Sequence, residues 1–331
     1  MKRTEPFSYP DIFRVVQYTL DHKRLIIQAL GLAVALAALF GFTTLADRFQ
    51  AETNFLPWFV DFLGILVFYL LLLVFAGPVT WLILEEIRTG SRPSISTAFA
   101  RGIRFGFHLA AAPAGIISFI LAAGLILVTL TAVGMLPGWG PLFWAATFLP
   151  RFGAALALIV GSLTLAAATL ILPSIIVDRR AGATRAFGVL AEMMRRNFLV
   201  FWGYVFTALF LTAVYFLLFT AVVAGSISLL LLVSTAVLGD EPGRVLLKMP
   251  PFFSRLVPFL GGHVSVPPDL PPESWVYPAA GAVWGGSLLV CLIAWLAYPF
   301  LYLFNSGVII YLSLTEREKE GSRSRRRRDP I

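Results

Sequence analysis

From position 105 to position 150 the chain carries no Asp, Glu, Lys or Arg, and five further stretches, 25–46, 62–84, 152–177, 197–239 and 274–315, share this property. Each is long enough for a helix to cross the hydrocarbon of a bilayer, which takes about 20 mostly apolar residues. A backbone in lipid must satisfy its N–H and C=O groups internally, and unbroken apolar runs of this length do so as helices. Composition agrees. The chain is 58% hydrophobic and 13% charged, whereas soluble domains carry about 25% charged residues. Mean hydropathy is +0.84. The expected fold is all-α: a polytopic membrane bundle of about six spanning helices. The spans are expected near 25–46, 62–84, 105–135, 152–177, 198–224 and 279–312, within a single integral membrane domain over 1–315. An extracytoplasmic loop over 239–274 and a basic, disordered tail over 316–331 complete the layout.

The first stretch lies well inside the chain and is too long for the apolar core of a signal peptide; Thr43, Thr44, Leu45 and Ala46 offer no small-residue cleavage pattern. Cys291 stands alone in an apolar run, so no internal disulfide can form, and a buried, inert thiol is expected.

Basic residues set the orientation, because Lys and Arg concentrate in cytoplasmic loops. With both ends inside, only Arg48, Arg151, Arg244, Lys248 and Arg255 of the 26 Lys and Arg fall on the outer side. This excess argues against a seventh crossing, which would place Arg325 to Arg328 outside. The overlong fifth stretch is therefore read as one crossing plus an extra part: a long tilted helix, or a segment over 226–238 in the interface. Trp58, Trp139, Trp144 and Trp275 fall near outer interfaces, as an aromatic belt requires. These features imply a multi-pass protein with both termini cytoplasmic.

Each cytoplasmic segment before an odd-numbered span carries a short amphipathic pattern. In the first, Ile12, Phe13, Val16, Thr19 and Leu20 share a face, and Ser8, Pro10 and Asp11 read as a helix start. Ile95, Ala98, Phe99 and Ile103 form the second, and Ala186, Phe187, Leu190 and Met194 the third. Each ends in a basic cluster: Lys23 and Arg24, Arg101 and Arg104, Arg195 and Arg196. The expected unit is an interfacial helix plus a transmembrane hairpin, repeated three times. Its basic residues are candidate contacts for anionic lipids at the cytoplasmic face.

Pro173, Ser174, Ile175, Ile176, Val177 and Asp178, then Gly182, Ala186-Phe187 and Arg196-Asn197-Phe198, form the most recognisable stretch. It resembles a pattern in uncharacterised six-span bacterial membrane families, including the membrane domain sometimes fused to glycerophosphodiester phosphodiesterases. By layout the resemblance covers residues 77–312, and it is motif-like over 173–198. It implies an integral membrane role without a defined activity. The 331 residues depart from the fused members in containing no phosphodiesterase sequence.

Chemistry inside a membrane usually needs ionisable groups at depth. Here Asp61, Glu85, Glu86 and Asp178 sit at span ends; Asp61 reads as opening a helix, and Glu85 and Glu86 as pairing with nearby arginines. His22, His108 and His263 are too scattered to share a site, and no metal-ligand spacing, phosphate loop or nucleophile elbow occurs. No catalytic residue, cofactor or metal is therefore expected. The notable polar spots are helix breaks. Pro299 is expected to interrupt the last span beside Asn305 and Ser306, and Pro78, Pro113 and Pro173 to break others. The proline-rich outer loop and the cytoplasmic face are places for a protein partner; nucleic acid is not expected. The leading expectation is a non-enzymatic protein that organises the membrane or serves as a subunit of a complex. A transporter for a solute or lipid is the alternative, and a polar cavity lined by Asn305, Ser306 and residues of the proline-broken spans would favour it. A head-group enzyme would require Glu85, Glu86, Asp178 and His108 to converge.

Overall fold

A computed structural model describes residues 12–13, 15, 19, 21–49, 55–135, 140–239, 241–249 and 275–328, with side chains beyond 316 left aside. Its elements are helices. α1 is His22–Phe49, α2 Phe55–Thr89, α3 Ile95–Gly102, α4 Gly106–Ala111, α5 Ala114–Ala132, α6 Gly140–Ala146, α7 Phe148–Arg179, α8 Ala183–Arg196, α9 Phe198–Leu238, α10 Glu241–Leu247 and α11 Val276–Arg328. Six helical stretches are long and apolar enough to cross a membrane: His22–Phe49, Leu56–Thr89, Ile95–Ala132, Phe148–Arg179, Phe198–Leu238 and Val276–Glu316. The chain is an all-α, multi-pass membrane protein, and its exposed apolar faces are suited to contact with lipid.

Several helix boundaries follow from local chemistry. Asp21 accepts from the backbone N–H of Lys23 at 2.9 Å and so caps α1. Ser94 does the same for α3, accepting from Thr97 N at 3.2 Å. Of the four prolines expected to break spans, only Pro113 does so; it separates α4 from α5. Pro78, Pro173 and Pro299 lie inside continuous helices. A transmembrane helix tolerates the lost donor when neighbouring groups re-satisfy the backbone, so the expected interruption at Pro299 is corrected. Of the two alternatives for the fifth stretch, the fifth span takes the long helix. α9 runs through Gly225-Ser226 to Leu238, with the Ser226 hydroxyl donating back to the Val222 carbonyl at 2.7 Å. One glycine costs a helix only about 1 kcal/mol, too little to end an apolar helix already formed.

Three further expectations shift. Asp61 lies inside α2, which begins at Phe55. The outer loop opens with a helix, α10, whose Leu246 packs with Met249, Ile227, Leu231 and Leu288. Residues 316–328, expected as a disordered tail, continue α11 to Arg328; extending a formed helix through Glu, Lys and Arg is cheap. The rest of the loop, Trp139 and the helix start at Ser8, Pro10 and Asp11 lie outside the described residues.

Packing subdivides the expected domain over 1–315 into two compact units. The first comprises Met1–Tyr18, Leu73–Ala208 and Leu303–Ile331. Its helices approach through glycine. A Cβ on Gly307 would collide with the Leu170 carbonyl, and one on Gly102 with the backbone of Pro78. Gly161 meets Ile120, its Cβ position lying 2.8 Å from Cγ1. Such small residues let helix axes come close where dispersion must replace the hydrophobic effect.

The second unit comprises Thr19–Leu72 and Leu209–Tyr302. Leu32 and Ala35 of α1 pack with Leu72 and Ala297, and Leu36 with Leu292 and Trp295. Aromatic contacts fasten α9 to α11 here: Phe216 stacks on Trp295 with centroids 5.2 Å apart, and Phe219 meets Tyr298 at 4.6 Å. The Trp295 indole donates to Thr220 Oγ1 at 3.0 Å. Cys291 is exposed rather than buried. It lies on the surface of α11, within the apolar part of that helix.

Candidate functional site

The first unit holds a cavity of about 550 Å³ lined by Trp81, Leu84, Glu85, Arg88, Arg101, Arg104, Phe105, Val177, Asp178 and Arg180. Three pieces of chain build it. On α2, positions 81, 84, 85 and 88 share one helical face. Positions 101, 104 and 105 repeat that spacing along α3 and the 3-10 turn Ile103–Phe105 that follows. α7 supplies its C-terminal end. The lining changes from apolar to charged at matching points on two spans, from Leu84 to Glu85 and from Val177 to Asp178.

Electrostatically the lining combines one ion-paired carboxylate with further arginines. Asp178, with its side chain 11% exposed, is ion-paired with Arg88. Its other oxygen accepts from the Tyr311 hydroxyl at 2.7 Å, and that hydroxyl in turn accepts from Arg179 Nε at 3.2 Å. Hydrogen bonds to a charged group contribute about 1.5–3 kcal/mol each, so this knot fixes the end of α7 against α2 and α11. Arg101 also lines the cavity, its guanidinium 5.3 Å from the Trp81 ring centroid, a cation–π distance.

Arg180 occupies an unusual backbone position. At φ 49° and ψ 41° it is the only non-glycine residue with positive φ among those described. It terminates α7, and the N–H groups of Arg180 and Ala181 both reach the Ile176 carbonyl. Glycine is the usual residue here; an arginine costs about 1–2 kcal/mol in this conformation. The chain accepts that cost at a residue that lines the cavity.

Of the sequence-derived site residues, Asp178, Arg101 and Arg104 come together here. The others do not line this cavity. Pro173 is buried within α7. Asn305 and Ser306 are packed in the first unit at 1% and 0% exposure, and neither they nor Pro299 borders this cavity or the apolar groove beside Phe119 and Phe187. Arg195 and Arg196 are exposed at the end of α8, with Arg196 paired to Glu192. Lys23 is half-buried in the second unit. Arg24 is only 1% exposed and is withdrawn as a lipid contact. It shares a stripe with Ile27, Gln28, Gly31 and Leu32, all buried, so the helical spacing turns it inward. Two of the four head-group-enzyme candidates share the cavity lining. Glu85 and Asp178 line the cavity, Glu86 bonds Arg92 at 3.1 Å, and His108 lies beside Gly182.

Arg88, Arg180, Trp81 and Tyr311 were not singled out by sequence. The 81, 84, 85, 88 spacing was the available signal for two of them. Arg180 and Tyr311 carry no local pattern; only the folded backbone brings them to Asp178. Among the described residues no group of three or more His, Cys, Asp and Glu could hold a metal ion. No family model, curated protein or solved structure matches the chain.

Proposed function

We propose that this chain is a non-enzymatic protein of a bacterial inner membrane that organises the surrounding lipid or serves as a subunit of a membrane complex. Its termini are cytoplasmic, and it is related to the six-span families its sequence resembles. The observation that supports this reading is where the charge lies. The ion pairs formed by Arg88, Arg92, Arg196 and Arg244 belong to the ends of spans or to the short helices beside them. Arg24, buried near the start of α1, is charged, while the polar groups packed deeper in the spans, such as Gln28, Thr80, Ser174 and Asn305, are neutral. A chain with its charges at the rim and an apolar middle is suited to engaging head groups, and poorly suited to moving an ion or a proton across. Reconstitution of the purified chain into sealed liposomes tests this. Solute and ion flux should match that of protein-free vesicles, and specific, saturable flux of any solute would overturn the reading.

A further inference from the structure

We propose that the cavity of the first unit binds a phosphate group, presented by the head group of an anionic lipid, through Arg101, Arg104 and Arg180. This rests on the lipid-engaging reading above only for the source of the phosphate.

Depth is the first argument. The cavity straddles the last apolar and first charged residues of two spans, Leu84 and Glu85, Val177 and Asp178. In a membrane that boundary is the level of the lipid phosphates, where interfacial aromatic residues also collect; Trp81 and Phe105 stand in the same lining. Charge is the second. Four arginines face two carboxylates in the lining, leaving two positive charges. Arg88 is committed to Asp178, so the surplus belongs to Arg101, Arg104 and Arg180. Planar guanidinium forks match phosphate oxygens in pairs, and stacking on Trp81 pre-orients the first of them. Size is the third, since about 550 Å³ lies within the roughly 300–1,000 Å³ of small-molecule sites.

The fourth argument is Arg180. A residue serving only to end α7 would be better as glycine, so the left-handed arginine is explained by what its side chain meets. This separates binding from folding. Arg180→Gly should leave thermal stability unchanged or raised while weakening the ligand, an outcome a merely structural residue would not give.

The test uses the full chain in neutral detergent, followed by native mass spectrometry. It is titrated with dioleoylphosphatidylglycerol, dioleoylphosphatidylcholine and inorganic phosphate. Phosphatidylglycerol should bind at least about tenfold more tightly than phosphatidylcholine. The double variant Arg104→Gln, Arg180→Gly should lose at least about tenfold in that affinity without a lower melting temperature. Arg48→Gln with Arg185→Gln, two exposed arginines outside the cavity, removes the same charge and should stay within about twofold. If inorganic phosphate also binds, and only with Arg104 and Arg180 in place, the site stands and its ligand includes soluble phosphate. If phosphate fails to compete, the site stands as one for lipid. Equal affinity of the double variant and the parent chain, or equal binding of the two lipids, overturns the proposal. Flux in liposomes would remove the functional reading above without touching this result.

Discussion

At single residues, the tightest constraint is Gly307. Its Cβ position falls on the Leu170 carbonyl, whereas at Gly286, in the same helix, a Cβ would meet nothing within 4 Å. Gly307→Ala should therefore destabilise the protein by about 1–3 kcal/mol through forced separation of the helices. Gly286→Ala should be neutral or mildly stabilising. Melting temperatures in detergent compare the two, and equal shifts would mean the close approach carries no weight. Tyr311→Phe removes one hydroxyl and no volume. It should cost about 1–3 kcal/mol because the Asp178 carboxylate loses a donor; an unchanged melting temperature would show that the Arg88 pair alone holds α7. Little of this was readable in advance. Glycines in apolar helices are common, and nothing in the sequence distinguishes Gly307 from Gly286. Arg24 was readable: its spacing from Ile27, Gln28 and Gly31 marked it as inward-facing, but its charge and its place beside Lys23 suggested a lipid contact.

At the level of elements, the charge-free runs located every long helix, because the same absence of polar groups that admits a segment to lipid forces it to close its own hydrogen bonds. They did not reveal how helices end. Pro78, Pro173 and Pro299 look alike in sequence to Pro113, and whether a proline breaks a span depends on neighbours that only the fold supplies. The second and third amphipathic segments were legible as helices, yet one register was off by a residue: on α8 the buried stripe is Ala186, Leu190 and Met193, with Met193 rather than Met194 inward. On the first segment Ile12, Val15 and Thr19 are buried, and Phe13 is 54% exposed. The cap of α3 is the most accessible test at this scale. Ser94 accepts from Thr97 N, so Ser94→Ala should weaken that short helix by about 1 kcal/mol. Faster amide hydrogen exchange over 97–102, with the long spans unaffected, is the expected outcome. Uniformly faster exchange would mean α3 is not an independent local unit.

For the molecule as a whole, Cys291 provides a built-in reporter of the apolar belt. It is the sole cysteine in the sequence and is exposed on α11. In sealed vesicles it should resist a membrane-impermeant maleimide applied to either side, since such a reagent does not enter the hydrocarbon. After solubilisation in denaturing detergent it should label fully; rapid labelling in intact vesicles would mean that this part of α11 faces water. α9 places a second demand on the membrane. It has 41 residues, hence a length of about 60 Å at 1.5 Å per residue, and carries no charged side chain from end to end. Tilt alone cannot absorb this. Even at about 40°, the steep end of observed tilts, its vertical extent is roughly 45 Å against about 30 Å of hydrocarbon. Leu229, Leu230, Leu232, Val233, Val237 and Leu238 near its far end are all exposed. Lipid therefore has to stretch around that end, and the strain reaches neighbouring molecules that the protein never touches. Copies that share one collar of thickened bilayer strain less lipid than copies kept apart, so thin membranes should gather this protein into clusters and thick ones disperse it.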